Sequence, residues 1–439
     1  MDPTLLTLLS LGLLIAMILL GVPIGVSLGA VSLAGLWLLF DSWDIARGTA
    51  GSVAFSMLRE YTFGTIPLFI IMGNFIAASG AARDLYTMTN RGLRRIPARL
   101  AVATVIGNTI FAAISGVSVA AAATFSRIAY PQMRRYNYDR PMALGVIAGS
   151  AMLGMLIPPS ILLIFWGVLT EISIGKLFMA GIVPGILVAG LFILYLIITA
   201  ILHPEKAPYQ VGKGEQSIAA EPLGWPVILS GSLILVLVAL VIGSIWGGLF
   251  TPTEAAGVGA LGALVIALLK GVTWRGILDS IISAGVTTAP IMFLLLMAGL
   301  YSRFLVTSGS LDLLTEWIVT AGFGPVSLLI AMTLVWLAMG TLLDSSSIIL
   351  LTVPIFAPIA QNFGYDPLVF AIYGILIIEA GLLTPPFGIL VFVVKGSVPE
   401  NVPLSEVFRG AVPYWLLICL AGLMLLLMPG LVTYLPNNM

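Results

Sequence analysis

The sequence predicts an all-α polytopic membrane protein made of two inverted-topology repeats, and three observations lead to that prediction. Of its 439 residues, 60% are hydrophobic and only 9% are charged, which is typical of helical membrane proteins. Apolar stretches near the ~20 residues that cross a bilayer as a helix recur throughout the chain. Motifs of the first half also return in the second half at a nearly constant spacing.

The first half begins with two apolar segments, residues 4–20 and 23–40, which predict two spans or one long helix kinked at Pro23. Residues 41–60 mix charged and apolar positions, and they predict a helix lying in the membrane interface. A third span over residues 63–82 then leads the chain into an arginine-rich segment.

That segment contains an apolar run of about 27 residues, longer than the ~20 needed for one crossing, with arginines on both sides. Arginines favour the cytoplasmic side, so a single crossing would leave one cluster on the wrong side. We therefore predict a re-entrant hairpin. Its tip is expected at residues 115–118, where Gly116 permits the turn and hydroxyl groups satisfy the freed backbone groups. The flanking arginines are Arg83, Arg91, Arg94, Arg95, Arg99, Arg127, Arg134, Arg135 and Arg140.

The next span, residues 141–170, is interrupted by Leu-Ile-Pro-Pro-Ser at residues 156–160. Because proline cannot donate a backbone hydrogen bond and disfavours helix at the residue before it, this span is predicted to break into two halves. Residues 177–201 cross back. The polar segment 202–225 is the long hydrophilic connection, and we interpret it as the linker between the repeats.

The second half repeats the first, with matching motifs that lie 227 to 229 residues apart. Such ordered matches indicate an internal duplication. A second hairpin is therefore expected within residues 325–358, with its tip near residues 343–347. The matches are Ser79-Gly80 with Ser308-Gly309, Tyr138-Asp139 with Tyr365-Asp366, and the Pro-Pro motif from Gly154 with that from Gly381.

Charge indicates how the two repeats are related. Nine arginines flank the first hairpin, whereas residues 304–394 contain no Lys or Arg. The second hairpin is therefore predicted to enter from the opposite face, which makes the repeats inverted, with about five spanning helices in each. With both termini in the periplasm, 15 of the 19 Lys and Arg residues fall in loops predicted to be cytoplasmic. These loops are residues 83–99, 127–140, 202–224, 270–276 and 395–409.

These spans divide the chain into seven segments. Repeat 1 is predicted to contain scaffold helices and an interfacial arm (1–60), transport elements with the hairpin and the broken helix (61–170), and a spanning helix (171–201). After the linker (202–225), repeat 2 contains scaffold helices and an arm near 273–285 (226–285), transport elements (286–396) and a C-terminal helix (397–439).

Two hairpin tips and two broken helices would bring four backbone interruptions together near mid-membrane. Secondary transporters bind solute and coupling ions at such interruptions, where carbonyl ends suit a cation and N–H ends suit an anion. Hydroxyl groups at the tips are candidate ligands, and helix packing by small residues is the alternative role for each. The tip serines are Ser115, Ser118, Ser345, Ser346 and Ser347.

Two carboxylates lie within the predicted membrane region. An unpaired charge there costs ~3 kcal/mol or more, which favours an ion-binding or gating role for Asp344 at the second tip. Glu379 lies in an apolar span, where it either takes up a proton, pairs with Lys395 or another helix, or lines the solute cavity. Glu254 follows Thr-Pro-Thr at a helix start, where capping is the favoured role.

Several motifs together resemble a known family. They are TIPLFIIMGN (65–74), ISGVS (114–118), GMLIPPS (154–160), SIGKLFMAGIVPG (173–185), TPTEAA (251–256) and GLLTPPFG (381–388). In this combination they look like the large membrane subunit of tripartite ATP-independent periplasmic (TRAP) transporters, over nearly the whole chain.

The resemblance implies a sodium-coupled secondary active importer of a small organic anion in the bacterial inner membrane, with sodium ions for coupling and no cofactor. A periplasmic solute-binding protein would deliver the solute, and a separate small membrane subunit of about four helices would work beside this chain. Transport would follow an elevator mechanism, in which hairpins and broken helices move against a scaffold.

The resemblance also implies which residues bind sodium and solute. Some family members carry a polar or acidic residue shortly after the first tip, where this chain has Ala120 and Ala121, a departure that bears on the first sodium site. The residues implied for the first site are Ser115, Gly116, Ser118, Pro158, Pro159 and Ser160. Those implied for the second are Asp344, Ser345, Ser346, Thr384, Pro385 and Pro386, and the sodium ligands proper would be Ser115, Ser118, Asp344 and Ser345.

Two other functions are compatible with parts of this pattern. A stand-alone sodium/anion symporter of the same broad superfamily would share the hairpins and broken helices but need no partners. An intramembrane serine hydrolase is the remote alternative, because the only histidine, His203, lies in the polar linker, away from any tip serine. We therefore expect no enzymatic activity, and a formal net charge of zero gives no support for nucleic-acid binding.

Overall fold

The computed structural model describes residues 3–208 and 224–438, and these residues form α-helices connected by short turns. The first repeat contains α1 (Pro3–Leu19), α2 (Ile24–Phe40), α3 (Trp43–Arg59), α4 (Thr65–Ser79), α5 (Ala81–Gly92), α6 (Arg99–Ser115), α7 (Ser118–Arg135), α8 (Arg140–Ala151), α9 (Leu153–Leu156), α10 (Ile161–Thr170) and α11 (Ile174–Leu202). The second contains α12 (Trp225–Trp246), α13 (Pro252–Leu269), α14 (Trp274–Thr307), α15 (Ser310–Thr320), α16 (Pro325–Gly340), α17 (Ser345–Asn362), α18 (Pro367–Gly381), α19 (Ile389–Ser397), α20 (Leu404–Leu427) and α21 (Gly430–Asn437).

The helices confirm the predicted fold class. Each repeat has five crossing elements: α1, α2, α4, α8–α10 and α11 in the first, and α12, α13, α14, α18–α19 and α20 in the second. Each also has a hairpin, α6–α7 and α16–α17. By length and apolarity alone, eight described helices could cross a membrane, or nine if α15 and α16, bent by 118°, form one span. One of the eight is the hairpin arm α17, while α1, α2 and α18 are apolar but shorter.

Equivalent contacts in the two repeats bear out the internal duplication. At the base of hairpin α6–α7, the Tyr138 hydroxyl accepts a hydrogen bond from the Leu100 N–H at 3.4 Å. At the base of hairpin α16–α17, the Tyr365 hydroxyl donates to the Pro325 carbonyl oxygen at 2.9 Å. The aspartate after each tyrosine caps the following helix, α8 or α18. Each tyrosine thus joins the outer ends of its two hairpin arms, so both hairpins return to the face that they left.

The two hairpins open on opposite faces. Glu400, in the loop after α19, forms ion pairs with Arg134 and Arg140 at the base of the first hairpin. Lys270 pairs with Asp84 at 2.5 Å, and the Asp139 N–H donates to the Lys206 carbonyl oxygen at 2.8 Å. These four contacts, together with the Arg99 guanidinium over the Tyr136 ring, bring all five loops predicted to be cytoplasmic onto one face, which we call the basic face.

The base of the second hairpin lies at the other end of the molecule. A cavity is lined both by Gln361 and Tyr365 from this base and by Glu171, which follows α10. Because α8–α10 runs from Arg140 on the basic face to Glu171, the second hairpin opens away from the basic face. The inverted relationship is therefore a property of the structure.

Two segments differ from the sequence-based expectation. The second arm, predicted near 273–285, is the start of the continuous 34-residue helix α14, which also passes through the predicted division at 285/286. In the first repeat the equivalent connection is broken, because Glu60 adopts extended backbone (φ −65°, ψ 122°) before a short 3-10 turn, Tyr61–Gly64. The predicted C-terminal helix is two helices, since Pro429 disfavours helix at Met428. Residues 209–223 of the predicted linker lie outside the described residues.

Burial shows where the centre of the molecule lies. The apolar window of residues 140–170 is 89% buried, whereas that of α14 is 22% buried. Residues 369–381 of α18 are also buried throughout. The two broken helices therefore form the core, and helices such as α14 lie at the periphery with an apolar surface exposed.

The sidedness can be tested by cysteine labelling in a background with Cys419, the only cysteine of the sequence, replaced by Ser. We expect Arg95→Cys and Arg135→Cys to react with a membrane-impermeant thiol reagent only from the cytoplasm, because basic segments are retained there. Glu60→Cys, exposed beyond the opposite end of α4, is the control and should react only from the periplasm. Labelling of positions 95 and 135 from opposite sides would contradict the hairpin.

Candidate functional site

The first hairpin tip, residues 115–118, packs directly against the first Pro-Pro loop, residues 157–160. Gly116 has φ +61°, a backbone conformation that glycine adopts at no steric cost. A Cβ atom at Gly116 would lie 3.2 Å from the Pro159 carbonyl oxygen. Ser160 caps α10 by accepting from the Leu163 N–H at 3.3 Å, and it donates to the Met155 carbonyl oxygen. Sequence-predicted residues of the first site are therefore neighbours.

Small residues let each hairpin approach its broken helix, and they do so at equivalent positions. A Cβ atom on Gly154, before the first Pro-Pro pair, would lie 2.6 Å from the Ala112 Cβ atom of α6. A Cβ atom on Gly340, at the end of α16, would lie 2.5 Å from the Gly381 Cα atom, before the second pair. Both Pro-Pro peptide bonds are cis.

The second tip, residues 341–345, is more exposed than the first. Asp344 caps α17: its carboxylate accepts from the Ser347 N–H at 3.1 Å and from the Ser347 hydroxyl at 2.5 Å. Ser345 is buried, whereas Ser346 is half-buried. The carboxylate of Asp344 thus occupies an exposed helix N-terminus, where its charge complements the helix dipole.

The two Pro-Pro loops differ in exposure. Pro158 and Pro159 are buried, but Pro385 and Pro386 are exposed in the loop of residues 382–388. Thr384 holds this second loop, because its hydroxyl donates to the Ala380 carbonyl oxygen at 2.9 Å and accepts from the Trp415 indole at 3.0 Å. The second loop is therefore the more accessible half of the site.

Glu379 connects the two hairpin tips. It is fully buried, and its Oε1 atom accepts a hydrogen bond from the Ser345 hydroxyl at 2.5 Å. Ser118, which precedes Ser345 by 227 residues in the repeat, faces the same carboxylate. Nevertheless, Ser118 Oγ and Glu379 Oε2 have no hydrogen-bond partner of normal geometry among the described residues, and neither does Ser115 Oγ. Hydroxyl and carboxylate oxygens of this kind are ligands for a hard cation.

The comparison with protein families decides what kind of protein this is. A family model described as the DctM component of tripartite ATP-independent periplasmic transporters matches residues 11–431. The chain belongs to the DctM family. It is thus the large membrane subunit of a TRAP transporter, as its motifs predicted, and not an enzyme. TRAP large subunits work with a small membrane subunit and a periplasmic binding protein.

Individual DctM relatives match over most of their length. The C4-dicarboxylate TRAP transporter large permease protein DctM of Pseudomonas aeruginosa is 34% identical over 403 residues, covering 91% of this chain and 90% of the relative. The ectoine TRAP transporter large permease protein TeaC of Halomonas elongata is 29% identical and covers 96% and 97%, respectively. The crystal structure of the YdaH transporter of Alcanivorax borkumensis, at 16% identity, superposes with a TM-score of 0.60 over 98% of both chains and shows the fold alone.

Other residues of this DctM chain have structural roles. Glu254 forms the predicted capping box with Thr251 at the start of α13. His203 is exposed and pairs with Glu205 at 3.2 Å, on the basic face rather than beside a tip serine. Outside the membrane, a hydrogen bond from Tyr130, assisted by Arg140 and Arg134, keeps the pKa of Glu400 below its ordinary range. Among residues 3–208 and 224–438, no cluster of His, Cys, Asp and Glu could hold a transition metal.

Proposed function

We propose that this DctM chain imports a small organic anion, received from a periplasmic solute-binding protein, by coupling its movement to sodium ions. The observation that supports this most is the convergence of both hairpin tips on one buried carboxylate, next to unpaired hydroxyl oxygens. Oxygen clusters at the interface of inverted repeats are where secondary transporters bind coupling ions. A small carboxylate-bearing solute is in keeping with the C4-dicarboxylate named for one relative.

The proposed sodium sites use one hairpin tip and one Pro-Pro loop each. The first sodium ion would bind between residues 115–118 and residues 157–160, and the second between residues 341–345 and residues 382–388. Carbonyl groups at the ends of α6 and α16 lack intrahelical partners in their last turn, so they add oxygen ligands to the hydroxyl groups. The serine hydroxyls and backbone carbonyls then replace the hydration shell of the ion.

The tips and loops contain no Lys or Arg to hold the anionic solute. Of the helices that begin there, α17 and α10 are capped by their own Asp344 and Ser160 side chains, whereas α7 and α19 begin without a side-chain cap. Uncapped N–H groups at the start of α7 and α19, with sodium beside them, would bind the solute carboxylate. This dependence on sodium gives a physical reason for coupling.

An elevator movement is the proposed transport step. The hairpins and broken helices would move together, and α2, α13 and α14 would stay with the scaffold. Helix α4 lies at the boundary: Thr65 shares a hydrogen bond of 2.6 Å with Thr253 of α13, and a Cβ atom on Gly73 would lie 2.9 Å from the Ser115 Cα atom. Helix α4 thus contacts scaffold and tip alike. The alternative function, a stand-alone sodium/anion symporter, would use the same elements without partners.

The charge of Asp344 tests the second sodium site. We expect Asp344→Asn to raise the sodium concentration for half-maximal uptake in proteoliposomes by about 3- to 10-fold, as loss of one charged ligand costs on the order of 1 kcal/mol. Asparagine caps helices as well as aspartate does, so α17 should remain intact.

Asp366→Asn is the matched control, because Asp366 caps α18 in the same way but lies exposed at the outer base of the hairpin. Its sodium dependence should equal that of the unmodified protein. An unchanged sodium dependence in Asp344→Asn would mean that Asp344 serves only as a cap.

A further inference from the structure

We infer that Glu379, from the second repeat, is the carboxylate ligand of the first sodium site, where it binds the cation together with the Ser118 and Ser115 hydroxyls of the first hairpin tip. This inference rests on the proposed sodium coupling and adds to it a charged residue from the opposite repeat. Glu379 would thereby link both hairpin tips through one side chain.

The first argument is the distribution of unpaired oxygens. Ser115 is 6% exposed, Ser118 1% and Glu379 0%, so these side chains are shielded from bulk solvent. Their oxygens Ser115 Oγ, Ser118 Oγ and Glu379 Oε2 have no hydrogen-bond partner in the described parts of the chain. Buried polar groups are almost always paired, and the Ser118 hydroxyl interacts with Glu379 without forming a hydrogen bond of normal geometry, so these oxygens of the first tip and of α18 indicate a ligand that takes oxygen donors.

The second argument is charge. No Lys, Arg or His side chain among the described residues acts on the Glu379 carboxylate, whose interactions are with Ser345, Ser118 and Asp344. A buried carboxylate without a positive partner is costly, and a bound cation removes most of that cost. Sodium therefore stabilises Glu379, and Glu379 provides the negative charge that serine hydroxyls lack.

The third argument comes from the repeat. Ser118 and Ser345 are equivalent, 227 residues apart, and each is the first residue of its second hairpin arm. Residue 152, the equivalent of Glu379 in the first repeat, is the apolar Met152. One carboxylate thus faces both serines, which compensates for Ala120 and Ala121 after the first tip. Because Oε1 is held by Ser345 of the second tip, cation binding at Oε2 also depends on where that tip lies.

Sodium binding to the purified full-length chain tests the inference without transport. The melting temperature would be measured while NaCl replaces choline chloride at constant ionic strength, because a ligand that binds only the folded state raises the melting temperature. We expect Glu379→Gln and Ser118→Ala each to raise the half-saturating sodium concentration about tenfold. Their double variant should be little weaker than either single variant, because both remove ligands of the same ion.

Glu254→Gln is the control. Glu254 is exposed, and glutamine preserves its capping box, so the sodium response should be unchanged. If Glu379→Gln does not fold, Ser118→Ala and Ser345→Ala carry the test, since each removes a single hydroxyl. Wild-type sodium affinity in the folded variants would overturn the role of Glu379 and leave the proposed function intact. No sodium response in the unmodified chain would instead contradict sodium coupling itself.

Discussion

Replacing Gly116 by Val is expected to reduce sodium-dependent uptake about 100-fold or more while leaving a protein that inserts in the membrane. A residue with a Cβ atom pays ~1–2 kcal/mol in the left-handed conformation that Gly116 adopts. The valine side chain would also press on the Pro159 carbonyl oxygen, 3.2 Å from the position of its Cβ atom, at an overpacking cost of ~1–3 kcal/mol. Each 1.4 kcal/mol of this cost lowers about tenfold the population of the conformation in which the tip packs against the Pro-Pro loop.

Gly80→Val separates these two effects. Gly80 has nearly the same backbone conformation, φ +68°, but no atom lies within 4 Å of a Cβ atom built on it. We expect this variant to lose some thermal stability and to keep its sodium affinity. Uptake would be measured in proteoliposomes and normalised to correctly folded protein by size-exclusion chromatography. Wild-type uptake by Gly116→Val would show that the first tip does not need its contact with the Pro-Pro loop.

The architecture was predictable from the sequence because its signals are local. Arginines on both sides of an apolar run specify a hairpin whatever the helices around it do, and their absence near the second hairpin specifies the inversion. Proline pairs break helices through their own covalent structure, so residues 158–159 and 385–386 marked the broken helices correctly. The hydrogen-bonded tyrosines at the hairpin bases also occupy positions that the repeat had marked.

Continuity of helices was harder to predict. Pro290 lies inside α14, yet the helix continues through it, whereas the equivalent region around Pro67 is preceded by a break. The hydropathy pattern alone does not distinguish a continuous helix from a broken one, because packing on neighbouring helices decides whether a helix accommodates an interior proline. For the same reason, a separate second arm was expected where the structure has the first turns of α14.

The contact between Glu379 and both hairpin tips depends on three-dimensional packing. Ser118 and Glu379 are 261 residues apart, and hydropathy provides no information on which helix end a buried carboxylate will face. One signal was available: Ser118 and Ser345 share the 227-residue spacing, so they occupy equivalent positions at the two hairpin tips, which an inverted repeat brings together near mid-membrane. Lys395 is one of the partners that the sequence allows for Glu379, and the described residues show no ion pair between them.

Omission of the solute-binding protein or the small membrane subunit is expected to reduce uptake to background, a loss of at least about 100-fold, which corresponds to about 2.7 kcal/mol. The described residues supply no soluble domain that could capture solute at low concentration, since they are taken up by two membrane repeats and short turns. We therefore expect the binding protein to capture the solute before it reaches this chain.

The scaffold gives an independent reason for the small subunit. The proposed elevator movement needs a rigid frame, yet the apolar window of α14 is only 22% buried, and large side chains such as Trp246 and Phe293 are exposed. Additional helices packed on this surface would widen the frame and hold it steady while the hairpins move. We expect the small subunit to copurify with this chain and to raise its melting temperature.

The decisive experiment is reconstitution in proteoliposomes with an inward sodium gradient, leaving out one component at a time. The complete set should accumulate solute, and replacing sodium by potassium at equal ionic strength should stop it, which controls for leak and for binding to the vesicle surface. A binding protein added without solute, followed by free solute, tests whether delivery requires the loaded form. Robust sodium-dependent uptake of free solute by this chain alone would contradict delivery by a partner and support the stand-alone symporter, because the same hairpins and broken helices would then suffice for both capture and transport.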